Sequence, residues 1–235
     1  MKSDAPANPA DAGQSNELAE PEDACCYSVT KYCWVSHYQK YFDVTTAKVW
    51  ERIFKAILPF SWAPIFDSPR VDLYGPFWIM CTLIIVTCIV SQFTEYVDSF
   101  FTNADEVSKF DIERVASCAS LMFTYFIFVP LFIHIIFKCS TVRKKGSPGF
   151  IWFLAVYGYS FTIFIPASIA YMVPLSLARW VILVTAGLIS LFFICKELIS
   201  AATQNLTGQK VKLVALVLAC LHGGLVILLR YKYFG

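Results

Sequence analysis

The chain has 235 residues, 57% of them hydrophobic and 15% charged, with a mean hydropathy of +0.60. Soluble domains average about 25% charged residues, so a water-soluble globule is excluded for most of the length. The net charge of +2 comes without a basic stripe, which excludes a nucleic-acid footprint.

Seven Lys/Arg and ten Asp/Glu fall within residues 1–75, close to half of all charges in under a third of the chain. Residues 1–26 read as a disordered acidic tail, rich in Ala, Pro, Asp and Glu. Met1–Glu22 has no apolar core and one cation, Lys2, so it does not read as a signal peptide. Residues 27–75 read as a cytosolic region. Within it the spacing predicts an amphipathic helix over 44–58. Trp50, Ile53, Phe54 and Ile57 make one stripe, and Lys48, Glu51, Arg52 and Lys55 take the other side. Asp43 or Thr45 is the expected cap and Pro59 the stop. Trp50 and Phe54 beside a cationic face suit a helix lying on an anionic membrane surface; packing on the protein's own cytosolic side is the alternative. Ser61–Arg70, with Pro64 and Pro69, reads as a linker.

Five apolar runs follow, and they set the fold class: an all-α, polytopic membrane protein whose five transmembrane helices occupy residues 76–230. The expected spans are about 76–97, 115–137, 150–172, 178–196 and 211–230, each near the ~20 residues that cross a bilayer. In the third run, Pro166 is expected to kink the helix and Pro174 to close it. Arg179, Lys196, Lys212 and Arg230 flank the two shortest runs, with stems long enough to snorkel outward. Gly187, Gly223 and Gly224 are expected to allow close helix approach.

Loop charges supply a direction. The loop 138–149 carries Lys138, Arg143, Lys144 and Lys145 and no acid, which places it in the cytosol. Arg143, Lys144 and Lys145 also suit anionic lipid. The loop 95–114 holds six acids against Lys109 and Arg114 and suits the opposite side. Alternation then makes the N-terminus cytosolic and the C-terminus lumenal.

Nine cysteines do not read as a disulfide framework, because Cys81, Cys88, Cys118, Cys195 and Cys220 lie in or beside apolar runs. Cys25, Cys26 and Cys33 lack the second pair that a zinc site needs. Cys139 and Cys195 flank spans and are candidates for acylation. His134 and His222, on different spans, read as neutral imidazoles bonded to a neighbouring helix or lying near the interface. No hydrolase, zincin, phosphate-loop or EF-hand pattern appears. The expectation is no catalytic residue, no cofactor and no metal.

Two local patterns stand out. Asp72-Leu73-Tyr74-Gly75-Pro76-Phe77-Trp78 is an entry turn before the first span, with Tyr74 and Trp78 suited to the headgroup belt. Tyr157-Gly158-Tyr159-Ser160, followed by Ile165-Pro166, places a glycine between two aromatics inside the third. Together, in a five-span context, they resemble the Yip-domain family, the Ypt/Rab-interacting membrane proteins of the Golgi and endoplasmic reticulum. The likeness covers about residues 34–230, and Trp34–Leu58 resembles the part preceding the domain in the group containing YIPF-one and YIPF-two. The matching positions are Asp72, Leu73, Tyr74, Gly75, Pro76, Gly158 and Tyr159. The resemblance implies a Golgi or early secretory membrane protein without catalytic activity. It also implies a role in vesicle-mediated transport, with Rab-type small GTPases, other Yip-domain or Yif-type proteins and the lipid bilayer as partners. A small transporter or channel, and a membrane-shaping protein using the 44–58 helix as a wedge, are the alternatives.

The topology makes a prediction. Asn205-Leu206-Thr207, the one N-x-[ST] sequon, falls on the cytosolic side and stays unmodified. An endoglycosidase mobility shift that vanishes in Asn205→Gln would reverse the orientation.

Overall fold

A computed structural model describes residues 39–59, 63–66, 71–102, 112–140, 148–202 and 208–232. Its helices are α1 (Thr46–Ile57), α2 (Tyr74–Thr102), α3 (Ile112–Ser140), α4 (Phe150–Ser160), α5 (Phe164–Ala170), α6 (Ser176–Ala202) and α7 (Gly208–Lys232), with a 3-10 turn at Phe161–Ile163 joining α4 to α5. The all-α expectation holds. Five helical segments are long and apolar enough to cross a membrane: α2, α3, the α4–α5 pair, α6 and α7. The acidic tail over 1–26 and the basic residues Arg143, Lys144 and Lys145 lie outside the described residues, as does Asn205.

The helices run past the apolar stretches that predict them. Glu113 in the first turn of α3 and Lys138 in its last complement the helix dipole. In the third span the break falls a turn before Pro166. That proline has no N–H to donate, and its ring crowds the carbonyl of Thr162. The backbone tightens to 3-10 over 161–163, where the Ser160 and Thr162 hydroxyls donate back to the carbonyls of Tyr157 (2.6 Å) and Tyr159 (2.7 Å). The helix ends at Ala170, four residues before Pro174.

The third span is the axis of the bundle. Of its apolar stretch 61% is buried, against 28–44% for the other four, and it packs on α2, α3 and α6. Its rings Phe153, Tyr157, Tyr159, Phe161 and Phe164 are fully enclosed.

The first span is out of step with the rest. Pro76, the third residue of α2, lies against Gly158, the ninth of α4. Phe126 touches the same glycine from the middle of α3. The Ser190 hydroxyl, mid-way along α6, donates to the Ser160 carbonyl (2.8 Å). His222, mid-way along α7, has Nδ1 3.5 Å from the Tyr125 hydroxyl. So α2 starts at the level where the other spans are half-way through. The half-slot left at the end where α4 begins is filled by α1, which packs on α4, the 3-10 turn and α6, and by the stretch 63–66.

At the opposite end Arg179 clamps the bundle. Its guanidinium donates to both carboxylate oxygens of Asp98 (2.8 and 3.0 Å) and from Nε to the Val173 carbonyl (2.9 Å). Arg179 and Arg230 both lie over the buried Tyr171 ring, at 5.4 and 5.8 Å. Arg179 therefore does not snorkel outward: only 7% of it is exposed, because a carboxylate, a carbonyl and a ring replace its water. Gly187 does allow close approach, since an added Cβ would lie 2.7 Å from Val226, whereas Gly223 and Gly224 face open space.

Asp98 is half exposed, so Asp98→Asn should cost about 1 kcal/mol. Arg179→Met also abandons the Val173 carbonyl and should cost about 2 kcal/mol. Thermal melts in detergent should rank the arginine variant lower.

Candidate functional site

The two sequence patterns, 82 positions apart at Pro76 and Gly158, meet in space. Asp72 is the meeting point. Its Oδ2 accepts from the Gly75 N–H (3.1 Å), closing the N-terminus of α2 as a helix cap. The same oxygen accepts from the Tyr159 hydroxyl (2.9 Å), and Oδ1 is paired with the Arg52 guanidinium. Asp72 is 4% exposed, Arg52 9% and Tyr159 0%. Phe66 lies under the guanidinium at 4.7 Å and sets its edge against the Tyr159 ring at 6.3 Å.

Both glycines are contact devices. A Cβ on Gly75 would sit 2.2 Å from the Tyr159 hydroxyl oxygen, and one on Gly158 would sit 2.3 Å from Pro76 Cβ and 2.9 Å from its Cα. The backbones of the first and third spans touch there because neither glycine carries a side chain. The place of Gly158 requires close packing.

Of the remaining motif positions, Leu73 is half-buried, with its N–H donating to the Tyr41 carbonyl (2.8 Å). Tyr74 is 43% exposed, in ring contact with the exposed Trp78. Pro76 is buried. Leu73 and Tyr74 are thus the motif positions with exposed surface, whereas Asp72, Gly75, Pro76, Gly158 and Tyr159 are buried.

Helix α1 corrects the periodicity reading in one respect. Arg52 does not sit on a solvated side; with Ala56 it forms the face that docks on the bundle, because Asp72 and the Phe66 ring offer it what water would. Trp50 and Phe54 are left pointing outward in mutual contact, rings 6.1 Å apart. Thr45 occupies the cap position without a side-chain cap bond.

A second polar contact pins residues 63–66. Glu197 is 2% exposed and accepts the Ile65 N–H (3.2 Å), while Lys196 donates to the Ala63 carbonyl (3.3 Å) and pairs with Glu197 (3.2 Å). Lys196 was expected to snorkel; it turns inward, because this stretch brings it a carbonyl. Ile65 and Phe66 belong to the core, so part of the expected linker is a packed strap. Arg52, Phe66, Lys196 and Glu197 are site residues that periodicity misses. The available signal was Asp72 itself: an acid at the mouth of an apolar span calls for a cation.

His222 is buried against Phe161 and Phe164, and His134 packs on Phe150 and Phe153. Among the described residues no group of three or more His, Cys, Asp or Glu could hold a metal.

The profile of the Yip1 domain matches residues 60–230, which include both patterns and all five spans. The chain belongs to the Yip1-domain family. A "Protein YIPF1 homolog" from Dictyostelium discoideum is 30% identical over 203 residues, 85% of this chain and 56% of that protein. A "Protein YIP5" from Schizosaccharomyces pombe is 29% identical over 130 residues, covering 55% of this chain and 49% of its own. "Protein YIP5" from Saccharomyces cerevisiae is 22% identical over 219 residues, 85% and 70%. The chain thus spans about half the length of the first two relatives. No solved structure matches it. It is a multi-pass membrane protein of the Yip family, and the family resemblance read from the Asp72–Trp78 and Tyr157–Ser160 patterns stands.

The close approach sets a test. Gly158→Ala drives a methyl into Pro76 and should cost about 1–3 kcal/mol as overpacking. Gly223→Ala, facing open space, should be neutral or slightly stabilising, since alanine favours helix. Equal melting temperatures for the two variants would contradict the contact.

Proposed function

We propose that this Yip-family protein is a non-enzymatic membrane-trafficking factor of the Golgi and early secretory membranes. In this reading it binds Rab-type small GTPases and pairs with other Yip-domain or Yif-type proteins in vesicle-mediated transport. Family membership over residues 60–230 carries the reading. The N-terminus faces the cytosol and the short C-terminus the lumen, in line with the loop charges. Arg143, Lys144 and Lys145 then lie on the cytosolic side, where they attract anionic headgroups.

The geometry adds how such a protein would present a binding surface. A helix of 12 residues is too short to be stable alone in water. Docking through Arg52 holds α1 in one pose, and the strap 63–66 ties the next stretch of chain to α6. Around α1 the buried charges are engaged in this docking: Asp72 with Arg52, and Lys196 and Glu197 with the strap. That use favours a platform over a conduit. Asp72, Gly158 and Tyr159 act as positioning residues in this reading, and partner contact falls to the exposed groups around them.

Removing one partner of a buried ion pair leaves the other uncompensated, at about 3–5 kcal/mol. Asp72→Ala should therefore loosen α1 and reduce recovery of GTPase and Yip-type partners in a mild-detergent pull-down, while carbonate-resistant membrane insertion persists. Equal recovery with the wild type would sink the proposal.

A further inference from the structure

The half-slot beside α2 raises a question about the bilayer. The contacts of Pro76 with Gly158, and of Ser190 with Ser160, put the start of α2 and the docked Arg52 at the mid-level of the other spans. Tyr41, bonded to Leu73, lies at that level too. At this depth the outward residues of the neighbouring spans are lipid-compatible: Ile127 and Phe128 on α3, Leu188 and Phe192 on α6. Yet α1 exposes Lys48 and Glu51 there, Glu51 with 54% of its side chain free and joined to Lys55 at 2.8 Å. The turn before it exposes Lys40 and Asp43. Charges do not rest in hydrocarbon.

The same helix exposes an apolar stripe. Trp50, Phe54 and Leu58, at i, i+4 and i+8, are 56, 59 and 55% free. They point away from the docking face made by Arg52 and Ala56. A water-filled setting suits the charges and not the stripe; hydrocarbon suits the stripe and not the charges. A headgroup boundary suits both.

We propose that the bilayer boundary dips to α1. On the side of the half-slot the leaflet is locally lowered, and α1 lies in it as an interfacial helix. The Trp50–Phe54–Leu58 stripe is covered by the upper acyl chains, and Lys48 and Glu51 reach the headgroups. The occupant of this face is phospholipid. The neighbouring spans expose apolar side chains at the same level, Ile127, Phe128, Leu188 and Phe192, and a helix with one apolar and one charged side is the form that a headgroup boundary takes up. The proposal does not depend on which proteins the chain binds.

The test uses the unaltered full-length protein in phosphatidylcholine–phosphatidylserine vesicles that contain a phospholipid with a photoactivatable diazirine in its acyl chain. Peptide mapping should find carbene adducts on Trp50 and Phe54 at a level comparable to those on the exposed Trp78. In parallel, Glu51→Cys in the same vesicles should react with a charged, membrane-impermeant maleimide to the extent it does in detergent. Absence of adducts at Trp50 and Phe54 overturns the proposal, whether the stripe faces water or is covered by a second copy or another protein. Adducts at the stripe with an unreactive Glu51→Cys overturn the lowered boundary, since α1 would then be sealed from water on both sides. Trp50→Ser/Phe54→Ser, which leaves the Arg52 docking face intact, should lose the α1 adducts and keep those at Trp78.

Discussion

The backbone contact between Pro76 and Gly158 is the constraint on which the rest depends. Because no side chain separates them, the first span can start only at the mid-level of the third, and its first turn must bury Asp72 at that depth. A carboxylate there needs partners. Gly75 supplies one from the backbone, Tyr159 one from the facing helix, and Arg52 the countercharge. Arg52 in turn requires α1 to lie against the bundle, with Phe66 closing the remaining side of the guanidinium. One close approach thus specifies a cap, an ion pair, a docked helix and a strap.

A buried ion pair is weak evidence for stability by itself, since desolvation offsets most of the attraction. Its value here is in selection. Hydrophobic burial alone would let α1 dock in several rotations, for its apolar residues include Trp50 and Phe54 as well as Ala56. Only one rotation brings Arg52 to Asp72. The pair therefore explains why the more hydrophobic side of α1 is turned away from the protein.

The spans were legible because a run of apolar residues long enough to cross a membrane has few other fates. The two patterns were legible as unusual: Gly beside Pro at a span entrance, and Gly between two aromatics inside a span. Their meeting was not, since nothing local relates position 76 to position 158. Arg52, Lys196 and Arg179 were misplaced for a shared reason. Periodicity assigns a cation to the polar side or to the headgroups, whereas its actual place follows from a carboxylate or carbonyl distant in sequence. The half-span offset lay beyond reading too, because apolar length says how far a helix can extend and not where it begins relative to its neighbours.

The two ends of the bundle solve one problem in opposite ways. Near the docked α1 an acid is the centre, and a guanidinium, a hydroxyl and an amide converge on it. At the other end a guanidinium is the centre, and Asp98, the Val173 carbonyl and the Tyr171 ring converge on Arg179. Asp98 stays half exposed, so that clamp sits where water still reaches. Asp72 is enclosed, and its cation is carried on a helix of 12 residues. Of the two joints, the Asp72 joint is the one whose opening would change what the protein shows to the membrane, since α1 and its apolar stripe move with it.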